Sequence, residues 1–189
     1  MPVMFPRDTR RFPLAIVRPI AYDDRSATVN AETQRGYPKA GDGMTIRRMD
    51  HVSIVVVDLE AALAFFVVLG MEVEGKAPIE GSWVDRVNGL VGVRVDIAML
   101  RTPDGHGRLE LTKFHNPAAI SAEPANALGN TLGLRSIMFT VDDIDAAVAG
   151  LRAHGAELVG EVAQYQDSYR LCYVRGPAGI IVALAEQLS

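Results

Sequence analysis

Two side chains in the first half of the chain, His51 and Glu110, have the chemistry of metal ligands or of proton-transfer groups. His51 lies in the apolar run MDHVSIVVV and Glu110 lies in RLELTKF, and both runs alternate as half-buried strands do. Alternation places Ser53 beside His51 on one face, and Arg108 and Thr112 beside Glu110 on another. Because imidazole nitrogen and carboxylate oxygen both bind divalent metals, the two side chains are candidates for one metal site.

The strand that carries His51 belongs to a segment that the chain contains twice. Residues 49–75 align without a gap with the stretch that ends at residue 160, each matched pair 85 positions apart. Asp58 thereby matches Asp143, and Gly70 matches Gly155. Each copy is a β-branched run followed by an acid-capped amphipathic stretch that ends at glycine, which predicts a strand followed by a helix.

The two candidate ligands belong to the first copy alone. His51 matches Ser136 in the gap-free register. A second alignment pairs PDGHGRLEL with PAGIIVAL, with one residue fewer after the turn, and it matches Glu110 to Ala183. The first half of the chain therefore keeps both polar groups, and the second half keeps neither.

The remaining apolar runs complete each copy as a βαβββ module of an α+β fold. Further strands are predicted at 72–77, 93–100 and 108–114 in the first module and at 156–164, 169–175 and 180–186 in the second. Residues 81–92 fit either a short helix or a covering loop, and residues 115–132 fit a linker with two prolines. We expect modules at 46–114 and 133–187 whose uncovered sheet faces together enclose a cup.

Residues 1–43 differ from the rest because they contain five prolines and show neither strand nor helix periodicity. This composition predicts a disordered or loosely attached extension before a domain at 44–189. Met44 stands just before the periodic pattern begins, so we hypothesise that it is the natural start. Mass spectrometry of natively expressed protein showing a Met1 terminus would reject that hypothesis.

Composition narrows the function classes. A net charge of −4 in 189 residues, without a basic stripe, argues against nucleic acid as the main partner. The apolar runs are too short to span a bilayer, so no membrane partner is expected. The single cysteine, Cys172, excludes an intrachain disulfide and a cysteine-based zinc knuckle. These features fit a cytoplasmic protein.

Several motifs resemble the vicinal oxygen chelate superfamily, which includes glyoxalase I, methylmalonyl-CoA epimerase, fosfomycin and bleomycin resistance proteins and extradiol dioxygenases. The motifs are DHVSIVVVDLEAALAFF, VDDIDAAVAGL, RLEL and GPAGIIVAL, within residues 46–187. The stretch from WVDRVNGL to FHNP is similar to the epimerase and lactoylglutathione-lyase-like branch. The resemblance implies a glyoxalase-like fold of two βαβββ modules.

The resemblance also implies a divalent metal (Zn, Ni, Co, Mn or Fe) held by a His on the first strand and a carboxylate on the last strand of each module. Carried over by position, His51 and Glu110 match these ligands, and Glu110 is also the expected catalytic group. Ser136 and Ala183 do not match. A third ligand could come from the substrate, from Asp96 or from His115. Alternatively, His51 is a hydrogen-bonded cavity residue and Glu110 is an ion-pair partner of Arg108.

Two functional interpretations follow from the resemblance. In the first, the chain is a metal-assisted lyase, isomerase, epimerase or dioxygenase-related enzyme, whose metal stabilises an enediolate formed from a small carbonyl-containing substrate. In the second, it is a metal-free protein of the bleomycin-resistance type that binds a small molecule in the cup. A homodimer is expected in either case.

Overall fold

The computed structural model describes residues 46–188. The predicted extension at 1–43 and the hypothesised start at Met44 lie outside these residues. Among the described residues, no helix has both the length and the apolar character needed to cross a bilayer.

The first module forms one sheet of four strands. Its elements are β1 (Val52–Val55), α1 (Leu59–Val68), β2 (Glu72–Glu80), α2 (Ser82–Asn88), β3 (Arg94–Arg101) and β4 (Arg108–Asn116). The strand order is β1-β4-β3-β2, with β1 parallel to β4 and the other pairs antiparallel. The chain therefore brings the first and last strands of the module side by side.

The second module repeats this plan. Its elements are β5 (Ser136–Thr140), α3 (Ile144–Arg152), β6 (Glu157–Leu158), β7 (Ala163–Tyr165), β8 (Tyr169–Arg175) and β9 (Ile181–Gln187). The strand order is β5-β9-β8-β6, and β7 also pairs with β8. Again the first and last strands are parallel neighbours. The predicted α+β fold with two repeated modules is confirmed.

Two local predictions change. The strand predicted at 156–164 is two short strands, β6 and β7, which pair with different parts of β8. The segment at 81–92 forms the helix α2 because Gly89 ends it in a left-handed conformation at φ 67°. The Asp85 carboxylate then accepts hydrogen bonds from the backbone N–H groups of Gly92 and Val93, at 2.9 and 2.7 Å, and so fixes the loop into β3.

Helices α1 and α3 begin in the same way. The carboxylate of Asp58 accepts a hydrogen bond from Ala61 N at 3.0 Å, and that of Asp143 accepts one from Ala146 N at 2.9 Å. Each aspartate satisfies an N–H group that has no partner within its helix. The repeated Asp therefore has the same capping role in both modules, as predicted.

One core joins the helix-covered faces of both sheets. It includes Phe65 and Phe66 of α1, Leu111 of β4 and Leu151 of α3, all at most 1% exposed. The Phe66 ring lies 6.5 Å from that of Phe139 on β5, measured between centroids. Burial of these large apolar side chains is the main force that holds the two modules together.

The opposite face of the first sheet is left uncovered by α1, and we call it the first open face. It carries Ser53 from β1, Glu110 and Thr112 from β4, and Met99 from β3, since paired residues share a face. Helix α2 packs against one end of this face through Val84. The open face therefore has a polar middle and an apolar end.

Candidate functional site

The β1–β4 pairing brings the two predicted site residues together. Ser53 is paired with Glu110, and His51 lies just before β1. His51 Nε2 is 4.0 Å from Glu110 Oε2, and the side chains are 35% and 24% exposed. This distance is too long for a hydrogen bond. The two atoms face each other without a bond between them.

Two hydroxyl groups orient the Glu110 carboxylate. Ser53 Oγ and Thr112 Oγ1 each donate a hydrogen bond to Glu110 Oε1 at 2.9 Å. Thr112 is buried, at 6% exposed, so its hydroxyl is fixed by packing. With Oε1 held by two donors, Oε2 is the oxygen that faces His51.

A second carboxylate orients His51. The Asp50 Oδ2 atom lies 3.0 Å from His51 Nδ1, and Arg48 Nη2 lies 2.5 Å from Asp50 Oδ1. The hydrogen bond with His51, and then that with Arg48, lowers the pKa of Asp50 below its usual value. Asp50 is therefore charged near neutral pH and accepts a proton-bearing Nδ1.

Three of these partners were not singled out as functional from the sequence. Ser53 and Thr112 share strand faces with His51 and Glu110, so strand alternation alone could have identified them. Asp50 gave no such signal, because alternation places it on the face opposite His51. It reaches the ring because the chain at 50 and 51 precedes β1 and is not bound to strand geometry.

Arg108 has a different partner from the one considered in the alternative interpretation. Its Nη2 donates a hydrogen bond to Glu74 Oε1 at 3.1 Å, and its Nε lies 3.1 Å from Glu74 Oε2 at an angle unsuited to a hydrogen bond. Glu110 is thus free of Arg108 and keeps its hydroxyl partners. Glu110 is not the partner of an arginine on its own strand.

The two protein residues considered as third ligands bind each other instead. His115 Nε2 lies 2.7 Å from Asp96 Oδ2. Asp96 is paired with Lys113, whereas Glu110 is paired with Met99, so strand alternation places Asp96 on the face opposite Glu110. Neither side chain joins His51 and Glu110.

The second module has no ligands at the corresponding positions. Ala183 lies between Met138 of β5 and Tyr173 of β8, its paired neighbours. Met138 and Tyr173 are 57% and 49% exposed, so they are not core residues. We call the face that they share the second open face. It offers aromatic and apolar surface in place of a nitrogen and a carboxylate.

Cys172 lies on the covered face of β8 and is buried. Burial raises the pKa of its thiol, which keeps the sulfur protonated near neutral pH. A protonated, buried thiol is a poor nucleophile, so Cys172 is a packing residue, as the sequence indicated.

The donor set fits part of a divalent metal site. Within residues 46–188, no group of three or more His, Cys, Asp or Glu side chains could hold an ion. Imidazole and carboxylate donors suit Zn, Ni, Co, Mn and Fe. Two atoms bound to one ion at about 2.1 Å each can be at most about 4.2 Å apart. His51 Nε2 and Glu110 Oε2 fall inside that limit, so they can supply two ligands.

Comparison with known proteins identifies the class to which this fold and site belong. The sequence model of the Glyoxalase/Bleomycin resistance protein/Dioxygenase superfamily matches residues 48–184. The chain therefore belongs to this superfamily, and the resemblance to the vicinal oxygen chelate proteins is confirmed.

Individual relatives agree with this assignment. The crystal structure of a glyoxalase family protein from Bacillus cereus is 51% identical, with a TM-score of 0.75 over 79% of this chain and 100% of that one. The uncharacterized protein YaeR of Escherichia coli K12 is 27% identical over 145 residues, which are 75% of this chain and 98% of YaeR.

A more distant neighbour shares the fold alone. The fosfomycin resistance protein FosX of Listeria monocytogenes, in complex with Mn(II) and a dihydroxypropylphosphonic acid, is 14% identical. Its TM-score is 0.50 over 74% of this chain and 90% of FosX.

Proposed function

We propose that this protein is a metal-assisted enzyme, a lyase, isomerase or epimerase that acts on a small carbonyl-containing substrate. One observation carries the proposal: His51 Nε2 and Glu110 Oε2 face each other at 4.0 Å on the first open face, each with its remaining polar atom bound elsewhere. Metal ligands are typically oriented by such outer hydrogen bonds. A cation would stabilise this pair of electron-rich atoms.

The chain's own residues have separate tasks in this proposal. A divalent ion held by His51 and Glu110 would act as a Lewis acid on the substrate's carbonyl oxygen. Glu110 is the group best placed to accept a proton from the neighbouring carbon, because it is the carboxylate on the open face beside the ion. Ser53 and Thr112 would keep the carboxylate in one orientation during that transfer.

The metal site needs further ligands, since catalytic metals usually take three protein ligands and an open position. We propose that substrate oxygen, water or a second copy of the chain supplies them. A homodimer is supported by exposed apolar side chains on both open faces, where Val55 is 45% exposed and Met138 57%. The Listeria FosX complex with Mn(II) supports the choice of a divalent metal, because it shares this fold.

Titration calorimetry on chelator-treated protein tests the metal proposal, with Mn²⁺, Co²⁺, Ni²⁺ and Zn²⁺ as separate probes. We expect near-stoichiometric binding by the wild type, and a loss of about 10- to 100-fold or more in His51→Ala and Glu110→Gln. His115→Ala is the matched control, because it removes a histidine paired with a carboxylate on the opposite face. Binding that is equal in His51→Ala and the wild type would contradict the proposal.

Proton exchange tests the reaction class. Metal-loaded protein in D₂O should exchange the hydrogen on the carbon next to the carbonyl in at least one member of a panel of small carbonyl compounds, followed by NMR. Glu110→Gln should abolish the exchange, because it replaces the proton acceptor with a neutral amide. Exchange that persists in Glu110→Gln would remove Glu110 from the catalytic role.

A second function is favoured by the residues that are missing. Ser136 and Ala183 supply no strong ligand, and residues 46–188 hold no group of three possible ligands. This supports a metal-free protein that binds a small molecule against the apolar and aromatic open faces. A ligand that raises the melting temperature of chelator-treated protein, with no metal bound by the wild type, would favour this second function.

A further inference from the structure

We infer that Asp50 is a positioning residue that sets the protonation pattern of His51 and turns its free nitrogen toward Glu110. The relevant contact is the 3.0 Å separation between Asp50 Oδ2 and His51 Nδ1. The purpose of this arrangement rests on the proposed function, since a free Nε2 has a use only where Nε2 binds something. The arrangement itself can be tested without any metal.

The chemistry of the two groups gives the hydrogen bond one direction. An ionised carboxylate has no proton to donate, so the hydrogen in this contact belongs to Nδ1. Arg48, at 2.5 Å from the other oxygen of Asp50, keeps that carboxylate charged and fixes its orientation. In a neutral imidazole only one nitrogen carries a proton, so Nε2 is left with its lone pair.

The free Nε2 lone pair faces Glu110 Oε2 at 4.0 Å. Two acceptors cannot share a hydrogen bond, and this separation fits that pattern. Without Asp50, the proton could move to Nε2, and His51 would then be able to donate to Glu110. Such a bond would occupy both candidate ligand atoms, so Asp50 keeps the pair open for a third group.

The rest of the chain supplies two internal comparisons. In the second module, Arg135 and Ser136 stand where Asp50 and His51 stand in the first, so both members of the pair are absent. The His115–Asp96 pair is also a histidine bound to a carboxylate, but it is bound through Nε2 and lies on the other face. It is therefore a matched control with the opposite expected proton placement.

Nitrogen NMR of the four histidine side chains tests the inference on metal-free protein, above the pH at which the rings are protonated. Protonated and free ring nitrogens have well separated ¹⁵N shifts, and His51→Ala assigns the signals. We expect His51 to carry its proton on Nδ1 in the wild type, and to lose that preference in Asp50→Ala. Asp50→Asn should restore it, because the amide oxygen still accepts. Asp96→Ala should alter His115 alone.

Metal titration of the same variants provides a second readout. We expect Asp50→Ala to bind Co²⁺ about 10- to 100-fold more weakly than the wild type, and Asp50→Asn to recover part of that loss. A wild-type His51 that carries its proton on Nε2, or one unchanged in Asp50→Ala, would overturn the inference. If the wild type bound no metal, the proposed enzymatic function would fail, while the NMR result would still decide the role of Asp50.

Discussion

Glu110 is the clearest case of a single residue whose behaviour depends on its neighbours. Two hydroxyl donors hold one oxygen, and the other faces an imidazole. Strand alternation in the sequence was enough to predict that His51 and Glu110 lie on polar faces, and the parallel pairing of β1 with β4 brings them together. Asp50 could not be predicted in the same way, because its contact depends on the irregular backbone just before β1.

Thr112→Val should weaken metal binding by about tenfold, because valine keeps the shape of threonine but cannot donate to Glu110 Oε1. Loss of the hydrogen bond should also cost about 1 kcal/mol of unfolding free energy. Calorimetry with Co²⁺ and urea denaturation would measure the two effects.

Ser53→Ala is the partner variant for this prediction, since Ser53 donates to the same oxygen. Each single variant leaves one donor in place, so the double variant should bind metal more weakly than either. If the double variant bound metal as the wild type does, the orientation of Glu110 by hydroxyl groups would have no role in the site.

Among the elements, the helix starts follow most directly from the sequence. The repeated aspartate at Asp58 and Asp143 caps α1 and α3, as its position before an amphipathic stretch predicted. Helix α2 was harder, because its start at Gly81 has no side-chain cap and its end depends on the carboxylate of Asp85. The division of one predicted strand into β6 and β7 depends on pairing with β8, which local sequence does not encode.

Asp58→Ala and Asp143→Ala should each lower the unfolding free energy by about 1 kcal/mol, because each leaves a helix N–H group without a partner. Urea denaturation would measure both. Asp142→Ala is the control, since this exposed aspartate immediately precedes a cap. A loss in Asp142→Ala equal to that in Asp143→Ala would contradict the capping role.

The loop between α2 and β3 should respond to acid. Hydrogen bonds from the backbone N–H groups of Gly92 and then Val93 lower the pKa of Asp85 from its ordinary value of 3.8. The charged form is favoured in the folded protein, so its stabilisation is complete above that ordinary value and is lost as pH falls through the lower folded pKa.

We therefore expect Asp85→Ala to speed hydrogen exchange at the Gly92 and Val93 amides at neutral pH, measured by NMR. The wild type should show the same local opening only in acid, below the ordinary pKa. Equal exchange at these two amides in both proteins at neutral pH would show that the carboxylate does not hold the loop.

On the scale of the whole molecule, the internal repeat predicted the architecture because each copy encodes the same apolar pattern. Both helices and the covered faces of both sheets contribute to one core, so neither module buries its apolar surface alone. The loss of ligands in the second module was also evident, since Ser136 and Ala183 are plain in the sequence. The mutual pairing of Asp96 and His115 was not, because it depends on β3–β4 register.

Leu151→Ala should lower the unfolding free energy by about 2–5 kcal/mol, since it removes a fully buried side chain of α3 from the shared core. The protein should still unfold in a single transition, with amide protection in β4 of the first module falling along with that of α3. Hydrogen exchange would measure both regions, and protection that falls in the second module alone would contradict a shared core.

The central claim is that His51 and Glu110 hold one divalent ion together on the first open face. Anomalous diffraction from crystals grown with Mn²⁺ would test it most directly. We predict one strong peak within about 2.2 Å of both His51 Nε2 and Glu110 Oε2. A peak only at the His115–Asp96 pair, or no peak between His51 and Glu110 at saturating metal, would contradict the claim.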